Sequence, residues 1–370
     1  MEKEEIFQRL DSFLDSLNEK DNVMILPDGD GDGFSAAVIA SKAVETLTTK
    51  KPAIRFLYKN SRGIPDEVKK EIVEKNFNVL IMLDYAIDQS PEVIKILEDI
   101  CRILIIDHHK IYNDLNSDKT ILIKPQFFSK IEPSKYNTSK LAFDLFSRKA
   151  NIKSLDWVAG VGIIADSSVD QWKSFMQEVN DSYDVGGKGK YSNSKLGDIS
   201  AILSGIESFA PQDFPVYFEK FLHAGHPRDV MLAQYEQYAK DLSDEVAYWL
   251  SKTNEKAQIY PEEELIYYEI SPKHNIKSGL INKIAKEIFP DRTVIVVMHS
   301  SDPEYISFSA RRSDFKIKTN ELLEKSIEGL ENASAGGHVP ASAGRILKKD
   351  LPKFKEKLLE VVKQRSVRNE

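Results

Sequence analysis

The sequence predicts an α/β protein: a doubly wound parallel-sheet lobe first, then a helical connector, then a smaller C-terminal α/β lobe. Two observations carry this. Short apolar runs alternate with Ala-rich or amphipathic stretches through the first half of the chain, as in β-α-β folds. Four times a buried-looking run also ends in a carboxylate or an imidazole, and such strand ends gather at the carboxyl edge of an open parallel sheet.

The elements follow in order. Residues 4–19 read as a surface helix, 22–26 as a short strand, and 34–48, rich in Ala and Val, as a helix packed on a sheet. Strands are expected at 53–58, 79–83 and 103–106, with helices at 65–75 and 91–99 between them. Helices at 139–148 and 154–167 follow, the second delivering Asp166 near its end. The stretch 180–198 holds Gly, Ser, Asn and Lys without apolar periodicity and reads as a long loop. Residues 199–256 look helical, interrupted near 211–215 and 225–227. A second unit has strands at 264–270, 293–299 and 304–310, a helix at 279–288 and a closing helix at 352–363. The expected domains are 1–175, a connector over 176–256, and 257–370.

Composition narrows the function classes. The 370 residues are 41% hydrophobic and 29% charged, enough for real cores. The net charge of −7 argues against a generally basic nucleic-acid binder, so any grip on nucleic acid is local. A single cysteine, Cys101, excludes an intrachain disulfide and fits the reducing cytoplasm. No run approaches the length of a membrane span, and the acidic start lacks a secretory apolar core. Trp157, Trp172 and Trp249 sit in helical contexts and read as core, not as stacking platforms.

The chemistry lies in the run ends. Asp28, Asp30 and Asp32 stand in PDGDGDG, Asp84 in VLIMLDYAID, Asp107-His108-His109 in ILIIDHHK, and Asp166 in GVGIIADSS. Clustered carboxylates repel one another unless a cation holds them. Aspartates with imidazoles suit ions of the Mn, Mg or Zn type. An EF-hand reading of PDGDGDG fails: the twelfth position from Asp28 is Ile39, inside an apolar helix. A P-loop also fails for want of Gly-Lys-Ser/Thr. What remains is a strand-to-helix turn whose glycines let three carboxylates approach one site, with a helix N-terminus aimed at an anion there. Consecutive imidazoles on an extended chain point different ways, one to metal and one to substrate or to a group that supports the metal ligands. Near the C-terminus, GGHVPASAG reads as a flexible turn or as a glycine pair letting backbone approach a ligand. The residues point to a metal-dependent hydrolase of a phosphate ester.

These motifs resemble the four motifs of the DHH phosphoesterase superfamily. Ser309-Ala310-Arg311 and Gly336-Gly337-His338 resemble the SxR and GGH elements of its C-terminal associated domain. The likeness spans nearly the whole chain. Within the superfamily it looks most similar to RecJ-like nucleases, especially compact archaeal forms, and to nanoRNases. Many members carry His where Asp28 stands; bacterial RecJ proteins resemble this chain in having Asp there.

The resemblance implies two lobes facing a cleft, and two metals, typically Mn²⁺ with Mg²⁺ as the alternative. Asp30 and Asp32 would hold different metals, Asp84 would bridge them, His108 and Asp166 would complete the second, and Asp28 is carried over to the first. Asp107 would orient an imidazole, and His109 would face the scissile phosphate. Ser309, Arg311, Gly336, Gly337 and His338 would bind substrate, with Arg312 assisting. The implied activity is hydrolysis of single-stranded DNA or RNA by two-metal-activated water. The alternatives are cleavage of short oligonucleotides, cyclic dinucleotides or pAp-like compounds, and a replication or repair scaffold that keeps its ligands. No added nucleic-acid-binding domain is readable, which favours short substrates or a replication or repair partner that supplies grip.

Overall fold

A computed structural model describes residues 3–57, 63–187, 190–300 and 302–366. The expected strand end at Tyr58 and the loop glycine Gly189 lie outside these residues. The chain divides into two units, 1–239 and 240–370.

The first unit opens with α1 (Lys3–Ser16), β1 (Val23–Pro27), α2 (Gly31–Thr48) and β2 (Ala53–Ile54). It continues with α3 (Asp66–Glu74), β3 (Val79–Leu83), α4 (Pro91–Glu98), β4 (Arg102–Ile106) and β5 (Thr120–Ile123). The five strands form a parallel sheet in the order β2-β1-β3-β4-β5. Successive side chains enter opposite cores. Val23, Ile25, Ile81, Leu83, Leu104 and Ile106 pack on one face, and Met24, Leu26, Leu80, Met82, Ile103 and Ile105 on the other. Burial on both faces is why these strands read as unbroken apolar runs.

The first face is covered by α1, α2, α5 (Thr138–Phe146), α6 (Asp156–Ala165), α7 (Lys173–Tyr183), α8 (Lys195–Phe209) and α9 (Phe214–His223). Helix α2 is sandwiched between sheet and helices, and its Ala36, Ala37, Ala40 and Ala43 are all fully buried. Small side chains allow that close approach.

Four expectations change here. Helix α2 starts at Gly31, not Phe34, because Asp30 caps it by accepting from the backbone N–H of Asp32 and Gly33. Strand β5 is not among the expected strands: TILI is four residues long and follows a polar run. The expected loop over 180–198 is helical at both ends. Val179 of α7 and Leu196 of α8 are buried in the first core, which draws their helices inward. Helices α8 and α9 bury Ile199, Leu203, Phe214 and Phe218 in the same core. The stretch read as a connector is therefore largely part of the first unit, up to Ala239 within α10 (Ala233–Ser251).

The second unit holds the rest of α10, then α11 (Thr253–Lys256), β6 (Gln258–Tyr260), β7 (Leu265–Ile270), α12 (Lys277–Lys283) and β8 (Thr293–Met298). After these come β9 (Tyr305–Arg311), α13 (Thr319–Ser326), β10 (Ser334–His338), β11 (Ala341–Leu347) and α14 (Leu351–Ser366). Its six-stranded sheet runs β10-β11-β9-β8-β7-β6, parallel only between β7 and β8. One face packs on α13 and α14 through Ile306, Phe308, Leu322 and Phe354, the other on α10 and α12 through Val246, Val294, Val296 and Leu280. GGHVPASAG is no flexible turn: it forms most of the β10–β11 hairpin. Gly, Ala and Ser carry little strand propensity, so composition hid both strands.

Trp157 is fully buried, while Trp172 and Trp249 are partly buried against their cores. Among the described residues, no helix is long and apolar enough to cross a membrane.

Candidate metal centre

The parallel order of β1, β3 and β4 brings their ends to one edge, and the expected ligands follow them there. Asp28 closes the β1 end, with its N–H donating to Leu83 O at 3.0 Å. Asp32 lies in the first turn of α2 and is buried. Asp84 follows β3 with φ of 60°, a left-handed conformation that Asp tolerates better than most residues. Asp107, His108 and His109 follow β4, and Asp166 ends α6.

The contacts bind these pieces into one cluster. Asp32 Oδ1 accepts from Asn137 Nδ2 at 2.6 Å and Ser139 N at 3.0 Å, and Oδ2 from Thr138 N at 2.6 Å. The carboxylate thus sits on the N-terminus of α5, where backbone N–H groups favour an anion. Thr138 Oγ1 donates to Asp84 Oδ1 at 2.8 Å. His108 turns Nε2 toward Asp84 Oδ1 and Asp166 Oδ2, 3.3 Å from each. Its Nδ1 lies 3.2 Å from Pro133 O, a bond that assigns the proton to Nδ1 and leaves the Nε2 lone pair for a metal. Ligand atoms of Asp32, Asp84 and His108 all lie within 4.8 Å of one another. Those of Asp84, Asp107 and His109 do so too, so Asp84 belongs to both groups.

Electrostatics gives the same reading. Burial pushes Asp32 up to about 7, and Asp166 adds to the rise. Burial also pushes Asp84 well above the usual carboxylate range, followed by repulsion from Asp32, Asp30, Asp166 and Asp28. Four aspartates around a fifth are a negative charge in want of a cation. Burial lowers His108, and His109 lowers it further, which keeps the ring neutral and able to ligate. The residues present fit divalent cations of the oxygen-preferring kind.

Asp107 behaves differently. Burial would raise it, but Lys124, then His109, outweigh that and hold it well below the usual range. Asp107 Oδ1 lies 2.7 Å from His109 Nδ1. The Lys124 ammonium, itself fully buried, stands 2.8 Å from Asp107 Oδ2 and 3.1 Å from Asp88 Oδ2. Sequence reasoning missed Lys124, Asp88 and the Asn137-Thr138-Ser139 turn. Signals existed: a lysine closing an apolar strand in ILIKP, and a capping run before an apolar helix.

Gly162 of α6 shows how tightly the site is built. A Cβ there would lie 2.6 Å from Asp32 Oδ1 and collide with Ser139 Oγ. Gly162→Ala is therefore expected to weaken metal binding about 10–100-fold, the usual cost of disturbing an outer-shell support. Melting temperature measured against Mn²⁺ concentration checks this.

In the second unit, Ser309 is buried in β9. Arg311 ends that strand, its Nε donating to Asn282 Oδ1 at 2.9 Å. Gly336, Gly337 and His338 lie on β10, where Gly337 has φ of 131°. A Cβ on Gly337 would stand 2.6 Å from Ala341 O, so the hairpin requires glycine there. Arg312 is placed otherwise than expected. Its side chain is fully buried, with Nε donating to Asp314 Oδ1 at 2.7 Å and Nη2 to Glu264 Oε2 at 2.6 Å. Two carboxylates already hold it, so it is an interior cross-link rather than a helper of Arg311.

The sequence matches the DHH family, N-terminal domain, over residues 22–163, and the DHHA1 domain over 262–364. Together the matches span about two thirds of the chain. The chain belongs to the DHH family. It is accordingly a metal-dependent phosphoesterase. No curated protein matches it by sequence. Its fold is similar to that of an exonuclease RecJ solved with manganese: TM-score 0.65, 15% identity, covering 96% of this chain and 94% of that one. RecJ of Thermus thermophilus with Mn²⁺ is similar at TM-score 0.67 and 15% identity, covering 97% of this chain and 54% of that one. CDC45 from Entamoeba histolytica is similar at TM-score 0.55 and 12% identity, covering 96% of this chain and 98% of that one. At such identities the likeness is one of fold.

Proposed function

We propose that this DHH phosphoesterase is a RecJ-like exonuclease on single-stranded DNA or RNA. The observation that carries the reading is the buried cluster of Asp32, Asp84 and His108, with Asp166 3.3 Å from His108 Nε2 and Asp28 and Asp30 close enough to repel Asp84, a concentration of carboxylates that suits a two-cation phosphodiester site. Asp28, Asp30, Asp32, Asp84, His108 and Asp166 would hold two Mn²⁺ or Mg²⁺ ions. Bound there, the cations supply an activated water and neutralise charge on the phosphate.

The chain's own groups do the rest. Asp107, kept ionised by Lys124, fixes the His109 ring through Nδ1. His109 is 27% exposed while Asp107 is wholly buried, so the imidazole can offer its other nitrogen to a phosphate oxygen. Ser309, Arg311, Gly336, Gly337 and His338 would hold the part of the strand that is not cut. Arg311→Ala is expected to raise KM roughly ten- to a hundredfold through loss of a charge-assisted contact. Arg311→Lys should restore only part, for want of the planar fork. Steady-state kinetics on both variants check this, and unchanged constants would remove Arg311 from the site.

The test of the whole reading is incubation with Mn²⁺ and end-labelled DNA and RNA of graded lengths. Stepwise shortening of single strands from one end is expected, with intact duplex a poor substrate. Because the chain is acidic, with net charge −7, few phosphates are gripped. Affinity for long strands should then fall only shallowly with salt, with a slope of about −0.7 per neutralised phosphate. Cleavage restricted to di- to pentanucleotides would favour an oligonucleotide phosphodiesterase. A protein that cuts no strand yet co-purifies with replication proteins would favour a scaffold that retains its metal site.

A further inference from the structure

The face of the C-terminal sheet that bears Arg311 continues beyond it. Paired residues on an antiparallel ladder point to the same face. Arg311 pairs with Ala341, Ser309 with Ala343, and Ser307 with Arg345. The neighbouring positions Ile306, Phe308 and Ile346 point the other way, into the core under α13 and α14. Arg345 and Ser307 therefore share Arg311's face, four residues along the strands, or about 14 Å. Across β11, Gly336 pairs with Ala343, so the middle of this face carries almost no side-chain bulk.

Its far end has chemistry of its own. The Arg345 guanidinium lies over the Tyr305 ring at 4.7 Å from the centroid. Both side chains are half-buried, and Ala343 between them and Arg311 is exposed. Ser307 Oγ is buried and has no hydrogen-bond partner among the described residues. The acidic neighbour Asp302 accepts through Oδ1 from Glu304 N at 2.8 Å and Tyr305 N at 2.9 Å, and after these bonds Arg345 is among the cations that help to hold its carboxyl below the usual range. A flat guanidinium on an aromatic ring, a spare hydroxyl and a small-residue floor leading to a phosphate-binding arginine suit one kind of ligand. Bases stack on aromatic rings and on guanidinium planes, and positive charge tracks the backbone.

We infer that Tyr305, Ser307 and Arg345 form a second nucleotide subsite on the C-terminal sheet. It stacks a base on the Tyr305–Arg345 pair and takes the adjoining phosphate or sugar with Arg345 and Ser307. The inference rests on the exonuclease reading and deepens it: the preferred substrate reaches past the nucleotide held at Arg311, so longer oligonucleotides bind better than dinucleotides.

The experiment uses the full chain carrying Asp30→Ala to stop turnover, with fluorescence anisotropy of labelled dinucleotide and ten-nucleotide single strands. Arg345→Ala and Tyr305→Leu are expected to weaken decamer binding about tenfold each and dinucleotide binding much less. Arg345→Lys should recover only part, having charge without a plane, and Tyr305→Phe should bind as the parent does. Melting curves establish that each variant is folded; the Lys and Phe variants keep the comparison decisive if a truncation unfolds. Folded variants that all bind the decamer like the parent overturn the subsite alone. A chain with the native sequence that neither cuts nor binds any strand overturns the exonuclease reading, and the subsite with it.

Discussion

Asp84→Asn is expected to lower kcat by at least about a thousandfold while the protein still folds. Asp84 lies within ligand reach of Asp32 and His108 and is crowded by Asp32, Asp30, Asp166 and Asp28, so Asn removes charge from the middle of the candidate metal cluster. Cations at such a site contribute several kcal/mol of transition-state stabilisation, and each ~1.4 kcal/mol is a factor of ten. Asn is a better probe than Ala here. The backbone at this position has φ of 60°, a conformation that Asn and Asp tolerate and that costs most other residues roughly 1–2 kcal/mol. Asn also keeps a side-chain oxygen for Thr138 Oγ1. Single-turnover cleavage of an end-labelled strand in Mn²⁺, beside a thermal melt, reads both halves of the expectation. A folded Asp84→Asn protein with undiminished turnover would remove this carboxylate from the mechanism.

Sequence made the first sheet legible where burial on both faces forced unbroken apolar runs. VLIML reads at its observed bounds, and RILII to within one residue. It made the candidate metal cluster legible because Asp and His at strand ends have no role in an apolar core. It failed where structure depends on pairing. Strand β5 is short and exists by adding to β4 at the sheet edge. Strand β10 and the first half of β11 are mostly Gly, Ala and Ser, and pairing organises them, β11 on β9 and β10 on β11. It failed again where a role depends on a distant partner. Lys124 is 17 residues beyond Asp107, and a lysine closing an apolar run marks a buried charge without naming the carboxylate that it meets. Arg312 looks like a twin of Arg311, but successive strand-end side chains point to opposite sides. Arg311 meets Asn282, whereas Arg312 meets Glu264 and Asp314.

The metal-free protein is expected to lose stability as pH rises from about 5 to 8, and Mn²⁺ should reverse that trend. Asp32 has an unfolded value near 3.9 and is pushed up to about 7 in the folded chain, first by burial and then by Asp166. Asp84 is raised too, by burial and then by Asp32. A carboxyl raised on folding binds its proton more tightly in the native state. Its contribution is complete below the unfolded value and is lost as pH climbs through the folded one. Each such group tilts stability by at most about 1.4 kcal/mol per pH unit within that window. The carboxylates held low, such as Asp107 and Asp314, have their own dependence at lower pH, while His108, lowered by burial and then by His109, works against the trend up to its unfolded value of about 6.5, so the fall is steepest above that pH. Cation binding requires the same carboxylates to be ionised, so the gain in melting temperature on adding Mn²⁺ should grow across the range. Asp84→Asn removes one of the titrating groups and should both flatten the metal-free slope and shrink the Mn²⁺ gain. Melting curves at half-unit pH steps, with EDTA and with Mn²⁺, decide it. A metal-free stability that is flat or rising between pH 5 and 8 would mean that the aspartate cluster is not the uncompensated charge its burial implies.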